Sequence, residues 1–143
     1  MPAKRVTAAL KRVVMVRARD YCEYCRSPAE FATQSFTVEH IIPRDADGET
    51  VLDNLAWACF GCNAHKHTAM HAVDPETGER VALFHPRQEA WSDHFEWSAD
   101  FTRMLGRTPH GRATIDALHL NRAGLVNLRR VLVSCGAHPP PKT

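Results

Sequence analysis

The stretch that decides the fold runs from Cys22 to Lys66: C-E-Y-C at residues 22–25, V-E-H-I-I-P at 38–43, D-N-L at 53–55 and C-F-G-C-N-A-H-K at 59–66. Its two C-x-x-C pairs, Cys22/Cys25 and Cys59/Cys62, put four thiols into one short segment. One such pair alone would suit redox chemistry as well as a metal. Two pairs, with no thioredoxin-like pattern around them, have the arithmetic of a structural Zn2+ site. With cysteine at every ligand position, no coordination site is left open for substrate, so the ion is expected to be a staple and not a catalyst. A loop-rich segment with little core of its own then depends on that ion to fold.

The surrounding chain sets limits. It has 143 residues, 18 basic against 16 acidic, and a net charge of +2. That balance neither demands nor excludes nucleic acid, so any basic face must be local. The length suits a single domain over 1–143 with one core. No apolar run is long enough to span a bilayer. The basic start, Met1 to Arg5, is not followed by the apolar core of a signal peptide. The expectation is a cytoplasmic chain with no membrane partner. In that reducing compartment the five cysteines do not form a disulfide framework.

Working outward from the staple, Thr7 is expected to cap a helix running to about Asp20, with Leu10, Val13, Val14 and the stem of Arg17 on one face. Phe36 to Ile41 alternates as a strand does, and Pro43 ends it. Arg44 to Asn54 is loop. Leu55 to Ala58 reads as a second strand leading into Cys59, and a short helix fits after Cys62. Beyond residue 70 the pattern gives a turn over 74–79, a strand over 81–84, and a hairpin joining 95–97 to 102–105. A helix opens at Thr108-Pro109. Asn121 is expected to cap the last helix, in which Leu125, Leu128, Leu132 and Cys135 recur at helical spacing before Gly136 stops it. That spacing makes Cys135 a core thiol, and Trp57, Trp91 and Trp97 are expected in the core too. The fold class is α+β: a zinc-stapled strand–loop–strand–helix core over 20–70, an N-terminal helix, and a strand/helix extension over 71–143 packed on the core.

Glu39 and His40 carry the chemistry. Neighbours on a strand face opposite ways, so they can serve one site only where the strand ends or bends, as Ile41-Ile42-Pro43 would make it do. An isolated Glu-His pair is an ordinary surface feature. Glu-His-Ile-Ile-Pro followed by Asp-Asn-Leu and then Cys-x-x-Cys-Asn-x-x-Lys, bracketed by C-x-x-C pairs, resembles the HNH endonuclease family with its ββα-metal site. The resemblance covers about the first half of the chain. It implies that His40 is the general base, that Glu39 and Asn63 ligate a catalytic Mg2+ or Mn2+, and that Asn54 braces the loop and orients the histidine. Asn63 stands where the family's eponymous residue is His, and Glu39 where many members have Asp. His65 and His67 are expected to be exposed helix residues, with a metal-ligand role for either one as the alternative. The resemblance further implies DNA as partner, and hydrolysis by nicking or double-strand cutting that leaves a 3′-hydroxyl.

The residue chemistry agrees with those roles. Histidine titrates near neutrality and suits the activation of water. Oxygen donors suit a hard divalent ion. Arg44 and Lys66, nearest the motif, are the expected phosphate contacts, ahead of Lys4, Arg5, Lys11, Arg12, Arg17 and Arg19. The rival reading is a zinc-ribbon-like module that binds nucleic acid or protein without cutting. The sequence leaves the oligomeric state open, a homodimer included.

Overall fold

The computed structural model describes residues 5–141, so Lys4 lies outside the described residues. The chain divides into two compact units, Met1–Met70 with His85–Ala90, and His71–Phe84 with Trp91–Thr143. Short helices and two-stranded antiparallel sheets make up both units, the α+β mixture expected.

The first unit opens with helix α1, Ala8–Arg17, whose N-cap Thr7 accepts a hydrogen bond from the Leu10 amide. It stops three residues earlier than expected because Arg19 and Asp20 adopt positive φ, 55° and 61°. Only Val14 of its apolar positions is fully buried, while Val13 is exposed. Arg17, at the helix end, donates to the carbonyls of Leu52 and Leu55 at 3.0 and 2.6 Å. Strands β1, Thr37–His40, and β2, Leu55–Ala58, pair antiparallel with Glu39 opposite Ala56 and His40 opposite Leu55. Every residue of β2 is buried. Helix α2, Phe60–Lys66, follows at once and begins before Cys62, not after it, because the Cys59 sulfur is its N-cap.

The loop from β1 to β2 is drawn tight. Asn54 accepts from the Ile42 amide at 2.8 Å and donates to the carbonyls of Ile42 and Glu49 at 3.0 and 2.9 Å. Gly48 donates to the Pro43 carbonyl at 2.9 Å. A Cβ at Gly48 would sit 1.7 Å from the Ile42 carbonyl oxygen, so no other residue fits this turn.

In the second unit, strands β3, His71–Val73, and β4, Arg80–Ala82, form a hairpin over the expected turn. Asp74 anchors that turn. It is fully buried and receives both arms of Arg112 at 2.9 and 2.8 Å, which hold its carboxyl well below the usual range. Helix α3, Trp91–His94, leads into the hairpin of β5, Phe95–Trp97, and β6, Met104–Gly106. Helix α4, Pro109–Leu118, is capped by Thr108 as expected, and helix α5, Ala123–Ser134, follows.

Two expectations in this unit are corrected. Asn121 caps nothing: its side chain bridges the Met104 amide and carbonyl at 2.7 and 2.9 Å and accepts from Arg129. Cys135 is exposed, because α5 ends at Ser134 and Cys135 is its C-cap. The buried face of α5 is instead completed by Arg129, 1 % exposed, which donates to the carbonyls of Thr102 and Leu120 and lies over the Trp97 ring. Trp57 is buried as expected, and Trp91 and Trp97 are half-buried, 5.2 Å apart.

Candidate functional site

The two C-x-x-C pairs converge. The four sulfurs of Cys22, Cys25, Cys59 and Cys62 lie within 4.8 Å of one another, all on buried residues, and those of Cys25 and Cys59 are 3.7 Å apart. A tetrahedron with Zn–S bonds of about 2.3 Å has edges of roughly 3.8 Å, so the cage matches zinc in size and in donor type. Each pair forms the same knuckle: the Cys25 amide donates to the Cys22 sulfur and the Cys62 amide to the Cys59 sulfur, both at 3.4 Å. Those bonds favour thiolates. Burial and the neighbouring sulfurs push the Cys22 thiol well up, and a bound cation removes that conflict.

The first knuckle is tied to β2 in both directions. The Glu23 amide donates to the Trp57 carbonyl at 2.9 Å, and the Trp57 amide donates to the Glu23 carboxylate at 2.6 Å. Glu23 also pairs with Arg87 from the returning segment His85–Ala90. Burial and the charge of Arg17 lower Arg87 to about 10.

Glu39 has work other than that expected of it. It is 4 % exposed, accepts from the Tyr24 hydroxyl at 2.7 Å through one oxygen, and meets the Lys66 ammonium at 2.5 Å through the other. Lys66 also donates to the Ile41 carbonyl at 2.9 Å. A line of polar contacts thus runs from the knuckle through Tyr24, Glu39 and Lys66 to the end of β1. Burial pushes the Glu39 carboxyl up, while Lys66 and Tyr24 oppose the shift. The same burial corrects the expectation that Lys66 grips phosphate: at 2 % exposed it does not face solvent. Lysine is almost never buried unless paired, and here the partner is Glu39.

Breaking this pair has a predictable effect. Lys66→Met leaves a carboxylate buried without its cation, which is expected to cost about 3–5 kcal/mol in urea denaturation of the zinc-loaded protein. Adding Glu39→Gln to it should recover part of that loss, since both partners are then neutral. A Lys66→Met protein as stable as wild type would show that the pair does not hold the strand end.

His40 ends β1 half-buried, with its Nε2 2.9 Å from the hydroxyl of Thr50. Burial lowers its pKa, and the charges of Arg44 and Lys66 lower it further. Arg44 is exposed in the loop immediately beyond the strand. Asn54 does what a loop brace does, but it makes no hydrogen bond to His40: its bonds go to Ile42 and Glu49. Asn63 is half-buried on α2, one turn before Lys66, and its side chain makes no hydrogen bond among the described residues. Residues three apart share a helix face, so Asn63 lies on the face that meets the end of β1 through Lys66. His65 and His67 are exposed.

For a catalytic divalent ion the donors divide. The Asn63 amide is an unengaged oxygen donor and fits. Both Glu39 oxygens are engaged, beside an ammonium that would repel the ion, so Glu39 as placed does not fit. The sequence reading missed His85, whose Nδ1 accepts from the amides of Arg87 and Gln88 at 3.2 Å and whose pKa is lowered by burial and by the charge of Lys66. No local signal could have marked it, because it returns to the first unit from outside the motif.

Comparison with known proteins agrees with this architecture. The family model described as HNH endonuclease matches residues 22–69. The Septu protein PtuB of Bacillus thuringiensis is 26 % identical over 127 residues, covering 87 % of this chain and 46 % of its own length. The chain therefore spans about half the length of that curated relative. No solved structure matches the chain significantly. Residues 22–69, which hold the four-cysteine cage and the ββα order, are the part of the chain that matches the HNH endonuclease family.

Proposed function

We propose that the protein is an endonuclease that hydrolyses phosphodiester bonds of DNA at the end of β1, with His40 as general base. The observation that carries this is the placing of one imidazole, lowered toward its neutral form, at the open end of a strand that the sulfur cage, Asn54 and the Lys66–Glu39 pair all hold in position.

Hydrolysis requires an activated water, relief of charge on the phosphoryl oxygens and help for the leaving oxygen. His40 takes the proton of the attacking water through the ring nitrogen that does not face Thr50. The exposed guanidinium of Arg44 contacts the phosphate from the loop and sets the strand's approach. Asn54 keeps that loop from relaxing away from the ring. Asn63 would supply one amide-oxygen ligand to Mg2+ or Mn2+. When bound, the ion supplies Lewis-acid stabilisation of the phosphoryl group and of the departing oxygen. Zinc on the four sulfurs has no open position and takes no part in the chemistry.

The test is supercoiled plasmid incubated with the full-length protein and Mn2+ or Mg2+. Conversion to nicked and then linear DNA, abolished by removing the divalent ion while zinc stays bound, is the expected result. Retarded but uncut plasmid under those conditions would favour the binding module.

A further inference from the structure

We propose that Thr50 is the positioning residue for His40: its hydroxyl receives the Nε2–H of the ring and so presents Nδ1 to the water. This rests on the nuclease reading above and supplies a link that reading lacks. Asn54 braces the loop, but its hydrogen bonds end at Ile42 and Glu49. The residue after Glu49 is Thr50, 7 % exposed, and its hydroxyl lies 2.9 Å from His40 Nε2. No other partner of that hydroxyl, and none of His40 Nδ1, occurs among the described residues.

The loop around Thr50 is fixed from several sides. The Glu49 carbonyl is held by Asn54, and Gly48 packs against the Ile42 carbonyl so closely that a side chain there is impossible. A threonine in a mobile loop would gain little from one hydrogen bond, whereas one held by this frame keeps the imidazole in a single orientation.

A hydroxyl suits this position chemically. It accepts from Nε2–H while the ring is neutral and goes on accepting when Nδ1 takes a proton and the ring becomes imidazolium. In the step itself the water oxygen bonds to phosphorus as its proton moves to Nδ1. The bond from phosphorus to the leaving oxygen breaks, and that oxygen is protonated by solvent. The Nε2–H bond to Thr50 persists throughout, so the ring need not turn between the two charge states.

The test has two arms, both on the full-length, zinc-loaded protein. In the first, long-range 1H–15N spectra at mildly alkaline pH report which nitrogen of His40 carries the proton. The Nε2–H form is expected, and the Nδ1–H form overturns the proposal whatever the enzyme does. In the second, Thr50→Val keeps the side-chain shape and removes only the hydroxyl. It is expected to lower kcat about 10- to 100-fold with KM little changed, while Thr50→Ser restores activity to within a few-fold of wild type. Wild-type kcat in Thr50→Val, alongside an inactive His40→Ala, overturns the positioning role and leaves the nuclease reading standing. Wild type and His40→Ala equally inactive on DNA overturns the nuclease reading, and the spectra then judge the hydrogen bond alone.

Discussion

Replacing His40 by alanine is expected to leave a folded, zinc-loaded protein that cleaves plasmid DNA at least ~100-fold more slowly than wild type, the size of effect a general base supplies. The fold should survive because the ring is half-buried and its hydrogen bond among the described residues is the one to Thr50. The sulfur cage, the Lys66–Glu39 pair and the Asn54 brace are untouched. The pH dependence follows from the environment of the ring. Burial, then the charges of Arg44 and Lys66, push its pKa below the ordinary value of 6.5, so the neutral base dominates at neutral pH. Activity that needs this base is fully present above that value and is lost as pH falls below it. Wild type should therefore hold its single-turnover rate from mildly alkaline pH down through pH 7 and lose it in the acid range. The residual rate of His40→Ala should lack that acid limb. Equal cleavage by the two proteins across the range would remove His40 from the mechanism.

What could be read from the sequence was what is local. The C-x-x-C spacing makes each knuckle within four residues, so the sulfur cage follows directly from the motif. The strand–loop–strand–helix order followed from alternation in Thr37–His40, the turn residues after it and the apolar run of Leu55–Ala58. Asn54 and Gly48 sit in a loop whose compactness depends on one amide and one missing Cβ, and a family pattern marks the first of these. What could not be read was direction and burial. The alternation of a strand says that Glu39 and His40 face opposite ways, but not which of them faces inward. The inward choice is made by Tyr24, fifteen residues earlier, and by Lys66 on the following helix. A lysine is ordinarily placed on the surface, and only this carboxylate reverses the rule. Helical spacing likewise put Cys135 on the apolar face of α5, but the helix ends one residue before it, and Arg129 takes the central buried position through carbonyls supplied by distant segments. The segment His85–Ala90 joins the first unit by an ion pair between Arg87 and Glu23, a contact to which no sequence window extends.

Removal of zinc is expected to have the larger consequence for structure. The apparent free energy of a structural zinc site is about 10–16 kcal/mol, against a total stability of about 5–15 kcal/mol for a typical domain. Loss of the ion therefore exceeds what the small core around Val14, Tyr24, Leu55 and Trp57 can sustain. Cys59 is the ligand at which this is sharpest. It closes the cage, ends β2, and its sulfur caps the first turn of α2 by accepting from the Cys62 amide. Cys59→Ser is expected to abolish zinc binding and to unfold residues 22–69, seen as loss of helical signal and exposure of Trp57. Tyr24 lies in the first knuckle, so the contacts through Glu39 and Lys66 that fix the end of β1 should go with it, and any nuclease activity should vanish together with the fold. A strong chelator should reproduce this in wild type, and added zinc should reverse it there but not in Cys59→Ser. Cys135→Ser is the matched control, since that thiol is exposed and outside the cage, and it should keep full zinc content and fold. A Cys59→Ser protein that is zinc-free yet folded, with Trp57 still buried, would mean that the apolar core and not the metal holds this unit together.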